Sequence, residues 1–123
     1  MILVLEDDKT RQKFFRSKIP SCEMSSNATN CIKTIQNYDD TIGVLFLDHD
    51  LGGEMYVNSG REDCGMEVVR WICKNQPPIK QIIIHSHNPI AAKEMMLKLQ
   101  DFDYKVIQRP FIQLKDQLEG FVE

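Results

Sequence analysis

Three short apolar runs, each stopping abruptly at polar or charged residues, constrain this chain more than any other feature. Ile2-Leu3-Val4-Leu5 ends at Glu6-Asp7-Asp8, and Gly43-Val44-Leu45-Phe46-Leu47 ends at Asp48. Gln81 to His85 encloses the third, Ile82-Ile83-Ile84. None alternates apolar with polar residues, so each reads as a strand covered on both faces, in a sheet between layers of helix. The intervening segments supply those layers. Asp8 to Lys18 reads as a helix with Phe14, Phe15 and Ile19 toward the core, and Ala28, Cys31, Ile32 and Ile35 recur at helical spacing. Gly65 to Lys74 buries Val68, Val69 and Ile72, and Pro77-Pro78 ends that unit. Asn88-Pro89 is an N-cap followed by proline at the first helical position, and the helix it starts runs to about Gln100. Ser21–Met24 and Tyr104–Gln108 complete the strands. Beyond Pro110, Phe111, Leu114, Leu118 and Phe121 make the apolar stripe of a last helix. Strands alternating with amphipathic helices predict an α/β fold with a parallel sheet and helices on both faces. The 123 residues fit one domain, residues 1–123.

Composition removes several function classes. Fifteen Lys+Arg against 18 Asp+Glu leave a net charge of −3, so no basic surface is expected to hold duplex DNA through many phosphates. One small anion is not excluded by that charge. The apolar runs are too short to span a bilayer, and no charged-then-apolar leader precedes Ile2. The expectation is a cytoplasmic protein with no membrane partner, its oligomeric state left open. Cys22, Cys31, Cys64 and Cys73 contain no Cys-x-x-Cys pair, so they read as free thiols rather than a zinc site. Asn27-Ala28-Thr29 matches a glycosylation sequon, which carries no weight without a secretory route.

The informative polar residues fall at the carboxyl ends of the strands, where open parallel sheets bind ligands. The first strand ends in Glu6-Asp7-Asp8, the third in Asp48-His49-Asp50, the fourth in His85-Ser86-His87-Asn88, and the fifth in Arg109-Pro110. All three histidines of the chain lie at two of these ends. While a segment stays extended, residues two apart share a side, so Asp48 pairs with Asp50 and His85 with His87. If the third and fourth strands are neighbours, a carboxylate pair lies beside an imidazole pair. Such a set can transfer protons near neutrality or hold a divalent metal, and the residue types do not choose between these uses. His49 taken alone reads as a hydrogen-bonded structural residue, and Asp7 and Asp8 also suit a helix start. Gly52 and Gly53 suit a turn, and Arg61 and Lys93 read as solvated. The thirteen-residue connection Leu51–Asp63 is long for this architecture, as functional loops often are.

The order Asp7-Asp8, Asp48, Ser86 and Arg109-Pro110 resembles response-regulator receiver domains. That resemblance covers essentially the whole chain. It implies a flavodoxin-like sheet of order 2-1-3-4-5, magnesium on Asp7 and Asp8, phosphate acceptance at Asp48, a hydroxyl contact from Ser86, and Arg109 in the place of a lysine. The departures are Arg109 itself, Val106 where receivers carry an aromatic switch residue, the long loop, and histidines flanking Asp48 and Ser86. Asp48-His49-Asp50-Leu51-Gly52-Gly53, His85-Ser86-His87-Asn88-Pro89 and Val68-Val69-Arg70-Trp71-Ile72 resemble a divergent group, the cyclic-phosphate processing receiver domains. This second resemblance implies a phosphoesterase acting on a small cyclic nucleotide or an RNA 2′,3′-cyclic phosphate end.

In that reading His85 and His87 are the acid–base pair, and Asp48, Asp50 and His49 orient them. Ser86, Asn88, Arg109, Gly52 and Gly53 contact substrate. Asp7, Asp8 and Asp48 hold a divalent metal, Mg2+ or Mn2+ before Zn2+, because an acidic pocket otherwise repels an anionic substrate. Two other classes fit the same residues: a stand-alone receiver phosphorylated on Asp48, and a protein that binds a nucleotide without turnover.

Overall fold

The computed structural model of the chain describes residues 1–51 and 57–118. Its elements alternate as the apolar runs require: β1 Ile2–Leu5, α1 Lys9–Lys18, β2 Glu23–Ser25, α2 Ala28–Asn37, β3 Ile42–Leu47, α3 Gly65–Asn75, β4 Ile79–Ile84, α4 Pro89–Gln100, β5 Val106–Gln108 and α5 Phe111–Leu114. The five strands form one parallel sheet in the order β2-β1-β3-β4-β5. This is the receiver-like, flavodoxin-like arrangement. Among the described residues, no helix is long and apolar enough to cross a membrane.

Alternation along the strands divides the core. Leu3, Leu5, Leu45, Leu47, Ile82 and Ile84 face α2, α3 and α4, where they pack with Cys31, Val68, Ile72, Met95 and Leu99. Ile2, Val4, Phe46 and Ile83 face the other way, onto Phe15 of α1 and Leu114 and Leu118 at the chain's end. Burial of both faces is why the runs lack polar positions.

Some boundaries differ from expectation for local reasons. β4 begins at Ile79, directly after Pro77-Pro78, because the β3 register pairs Ile42 with Ile79. It ends at Ile84, so His85 lies just beyond it. β2 and β5 are three-residue edge strands. Tyr104 stands outside β5, its hydroxyl donating to the Pro77 carbonyl at 2.6 Å. α5 is four residues long and passes into turns before Leu118, and Phe121 lies outside the described residues.

Helix caps fix where the chain leaves the sheet. The Asp8 carboxylate accepts from the Arg11 N–H at 2.9 Å and starts α1. Asn88 does the same for α4, accepting from the Ala91 N–H at 3.1 Å with Pro89 in the first turn. α3 starts on Cys64 without a side-chain cap, and Gly65 is required there by proximity. A Cβ on Gly65 would sit 1.9 Å from the Asp48 carbonyl oxygen.

Candidate functional site

The site is built by strand register. Leu5 pairs with Leu47, and Leu47 with Ile84. The next residue on each strand is Glu6, Asp48 and His85. The ladder continues through this row, since Asp48 N–H donates to the Leu5 carbonyl at 3.2 Å and His85 N–H to the Leu47 carbonyl at 2.9 Å. By alternation all three side chains leave the sheet on the α1 and α5 side. The His85 ring accordingly meets Phe15 with centroids 5.3 Å apart.

Three ionisable groups therefore converge in the interior. His85 Nε2 lies 3.0 Å from Glu6 Oε1, and both side chains are fully buried. Asp48 is buried beside them, its Oδ1 accepting from the His49 N–H at 2.8 Å. Glu6 also accepts from the Asp8 N–H at 3.1 Å. Arg11, on the first turn of α1, places its guanidinium 3.7 Å from Glu6 Oε1 and 3.9 Å from Asp48 Oδ2. That guanidinium lies over the Phe111 ring, 5.4 Å from its centroid, and is partly exposed.

Burial and charge set the protonation of the cluster. Burial alone raises the Glu6 pKa, but the hydrogen bond and charge of His85, the Asp8 N–H and Arg11 together bring it below the ordinary carboxylate value. Asp48 goes the other way: burial, with the negative charge of Glu6 added, pushes it up to about 7 against the opposing pull of His85, the His49 N–H and Arg11. His87 is half-buried at the rim. Burial, then the positive charges of Arg11 and His85, lower its pKa and favour neutral imidazole.

Asp48 and Asp50 do not share a side, because the ladder ends at Asp48 and the backbone bends at His49. Asp50 belongs to a second group. Its Oδ1 lies 2.8 Å from His49 Nδ1 and accepts from the Val57 N–H at 2.9 Å and Asn88 Nδ2 at 3.4 Å. His49 is fully buried and uses its other nitrogen, Nε2, on Ser59 Oγ at 2.9 Å. The Ser86 hydroxyl is buried and accepts from the Asn88 N–H at 3.0 Å. The Asn88 carboxamide caps α4 through Oδ1 and donates to Asp50 through Nδ2.

Further sequence expectations need correction. The carboxylate that joins Asp48 is Glu6, not Asp7 or Asp8, because Glu6 follows Leu5 in register and the Asp8 side chain caps α1. Arg109 is exposed, with Nη1 on the Gln108 carbonyl at 2.9 Å. The cation beside the acids is Arg11, which sequence reading passed over as an ordinary helix residue. Its signal was the spacing of one helical turn beyond the acidic strand end. His85 and His87 differ in burial: His85 is sealed in the core, while His87 is half-buried at the rim, near enough to feel the charges of Arg11 and His85. Gly52 and Gly53 lie outside the described residues. Arg61 pairs with Asp63 through Nη2 at 2.6 Å.

A divalent cation fits the cluster. Among the described residues, Glu6, Asp48 and His85 each offer one ligand atom, all within 4.8 Å of one another. The buried His85 Nδ1 meets no hydrogen-bond partner among the described residues, which is costly for an imidazole nitrogen. Two carboxylates suit Mg2+ or Mn2+, and the imidazole favours Mn2+ of the two.

The family of cyclic-phosphate processing receiver domains matches residues 1–101. The matched span includes Glu6, Arg11, Asp48 and His85-Ser86-His87 and stops before β5 and Arg109. Among solved structures, the chain is similar to a response regulator from Colwellia psychrerythraea. The identity is 15% and the TM-score 0.60, over 98% of this chain and 90% of that one, a likeness of fold alone. No curated protein matches the sequence.

Proposed function

Because the chain belongs to the cyclic-phosphate processing receiver domains, we propose that it is a metal-assisted phosphoesterase opening a small cyclic nucleotide or an RNA cyclic phosphate end. The observation that carries this reading is the buried Glu6–His85–Asp48 cluster, opening toward a partly exposed Arg11 guanidinium. Opening a cyclic phosphodiester takes a base for water, an acid for the leaving oxygen and positive charge at the phosphoryl oxygens.

The residues divide that work by exposure. Arg11 lies too far from either carboxylate for a hydrogen bond, and among the described residues none of its side-chain donors is spent on one. Its planar fork suits two phosphoryl oxygens. His87, at the rim, takes the proton from water and returns it to the leaving oxygen. His85 is fully buried and cannot touch substrate, so it is a positioning residue that orients Glu6 and Asp48. A divalent cation held by Glu6, Asp48 and His85 supplies charge to the phosphoryl oxygens when bound.

The test is a panel of 2′,3′-cyclic nucleotides, cyclic-ended RNA and cyclic dinucleotides, with Mg2+, Mn2+ or Zn2+ and with chelator. Turnover of one substrate class is expected, falling about 10²–10⁴-fold in His87→Ala. Arg11→Gln is expected to cost about 10²-fold in kcat/KM, the scale of one charged contact to a developing oxyanion. An intact panel under all metals sinks the proposal.

A second reading draws on the position of Asp48 at the carboxyl end of β3 in a fold shared with a response regulator. A stand-alone receiver would gain the mass of one phosphoryl group from acetyl phosphate and lose that gain in Asp48→Asn. Two observations count against it: the exposed Arg109 turned onto its neighbour's carbonyl, and the absence of an aromatic residue at Val106.

A further inference from the structure

Apart from the Glu6–Asp48–His85 cluster, we infer that Ser59, His49 and Asp50 form a second nucleophilic centre, in which the Ser59 hydroxyl is acylated by activated esters. The three side chains form a chain of hydrogen bonds. Asp50 Oδ1 lies 2.8 Å from His49 Nδ1, and His49 Nε2 lies 2.9 Å from Ser59 Oγ. Nucleophile, base and orienting carboxylate in this relation are what activates a serine hydroxyl, whatever the fold or the order along the chain.

The roles follow from donor and acceptor chemistry. An ionised carboxylate only accepts, so Nδ1 carries the hydrogen. In the neutral ring Nε2 is then the acceptor, and the Ser59 hydroxyl donates to it. That is the tautomer a general base requires.

The surroundings hold the set rigid. Asp50 is fixed by the Val57 N–H at 2.9 Å and by Asn88 Nδ2 at 3.4 Å. His49 is fully buried, and its carbonyl accepts from the Gly65 N–H at 2.8 Å. The Ser59 carbonyl accepts from Arg70 Nη1 at 2.5 Å and from the Cys64 thiol at 3.8 Å. Ser59 and Asp50 are both half-buried while His49 is fully buried, so the nucleophile reaches solvent with its base sealed behind it. A buried histidine that merely pinned this connection would serve equally well on a backbone carbonyl. Here it meets a hydroxyl instead.

The step balances without a cofactor. Ser59 Oγ bonds to the ester carbonyl carbon as its proton passes to His49 Nε2. His49 Nε2 returns that proton to the leaving alkoxide or phenoxide oxygen as its bond to carbon breaks, giving acyl-Ser59, the released alcohol or phenol and a neutral imidazole. Water activated by the same imidazole would hydrolyse the acyl group and restore Ser59.

p-Nitrophenyl acetate tests this on the full chain. The expected result is release of p-nitrophenolate with one acetyl group on Ser59 by peptide mapping, or steady release where hydrolysis is the faster step. In Ser59→Ala, release is expected to fall to the buffer rate. In Asp50→Asn it is expected to slow by about 10⁴-fold, the scale seen when the orienting carboxylate of such a triad is removed. Melting curves matching that of the natural chain show that either variant is folded. Chelator is expected to leave the labelling unchanged, so failure here is distinct from failure of the metal-assisted phosphoesterase. The proposal is overturned if Ser59→Ala reacts as fast as the natural chain. It is equally overturned if label spreads to exposed hydroxyls such as Ser17, which has only a carbonyl for a partner.

Discussion

Glu6 and Asp48 illustrate how one residue's role depends on which neighbour the sheet gives it. Both carboxylates are buried in the same row, yet Glu6 has an imidazole at 3.0 Å and is held ionised, while Asp48 is pushed up to about 7. A carboxyl whose pKa is raised in the fold weakens the fold as pH rises. Below its ordinary 3.8 both folded and unfolded forms hold the proton, and between 3.8 and about 7 only the folded form does. Above that window the full penalty of a buried charge is present. Asp48→Asn in metal-free buffer is therefore expected to stabilise the chain on the order of 2 kcal/mol at pH 8 and by little at pH 3.5. Urea unfolding at the two pH values checks this, and a stabilisation that does not grow with pH contradicts it.

The sequence brought Asp48, His85 and His87 forward at this scale because they stand where apolar runs stop. It named Glu6 only as part of the acidic strand end, put Asp7 and Asp8 beside Asp48, and did not single out Arg11. A triplet of acids does not reveal which member continues the ladder and which caps a helix.

At the scale of elements, the site depends on how closely α3 approaches the end of β3. Gly65 opens α3 against the Asp48–His49 backbone, and its N–H donates to the His49 carbonyl at 2.8 Å. A methyl group there would overlap the Asp48 carbonyl oxygen, which is backbone and cannot rotate away. Gly65→Ala is expected to destabilise by about 1–3 kcal/mol, despite alanine's better helix propensity. A gain in the urea midpoint would contradict the close approach. The strands and caps were legible as elements because each has local cause: two-faced burial for β1, β3 and β4, and Asn88-Pro89 for α4. The edge strands β2 and β5 were blurred by up to two residues, since three-residue strands are defined by their partners' register. The pairing of Asp48 with Asp50 failed at this scale, because extension ended one residue sooner than a shared side requires.

Over the whole molecule, the sheet separates two packing environments, and all three donors of the proposed metal site leave it toward α1 and α5. A ligand that binds only the folded chain stabilises it by mass action. Mn2+ is therefore expected to raise the melting temperature. The gain should approach about 2.7 kcal/mol when the ion exceeds its Kd a hundredfold, and chelator or Asp48→Asn should abolish it. Unchanged melting across a Mn2+ titration counts against the metal site.

The sequence by itself determined the α/β alternation and the strand ends where polar chemistry collects. Those features follow from local periodicity and from the cost of burying polar groups. Tertiary structure alone decided that Glu6, Asp48 and His85 form one row, while His49, Asp50 and Ser59 meet in the connection beyond β3. The row comes from inter-strand register and side-chain parity, which relate residues up to 79 positions apart and leave no trace in local spacing.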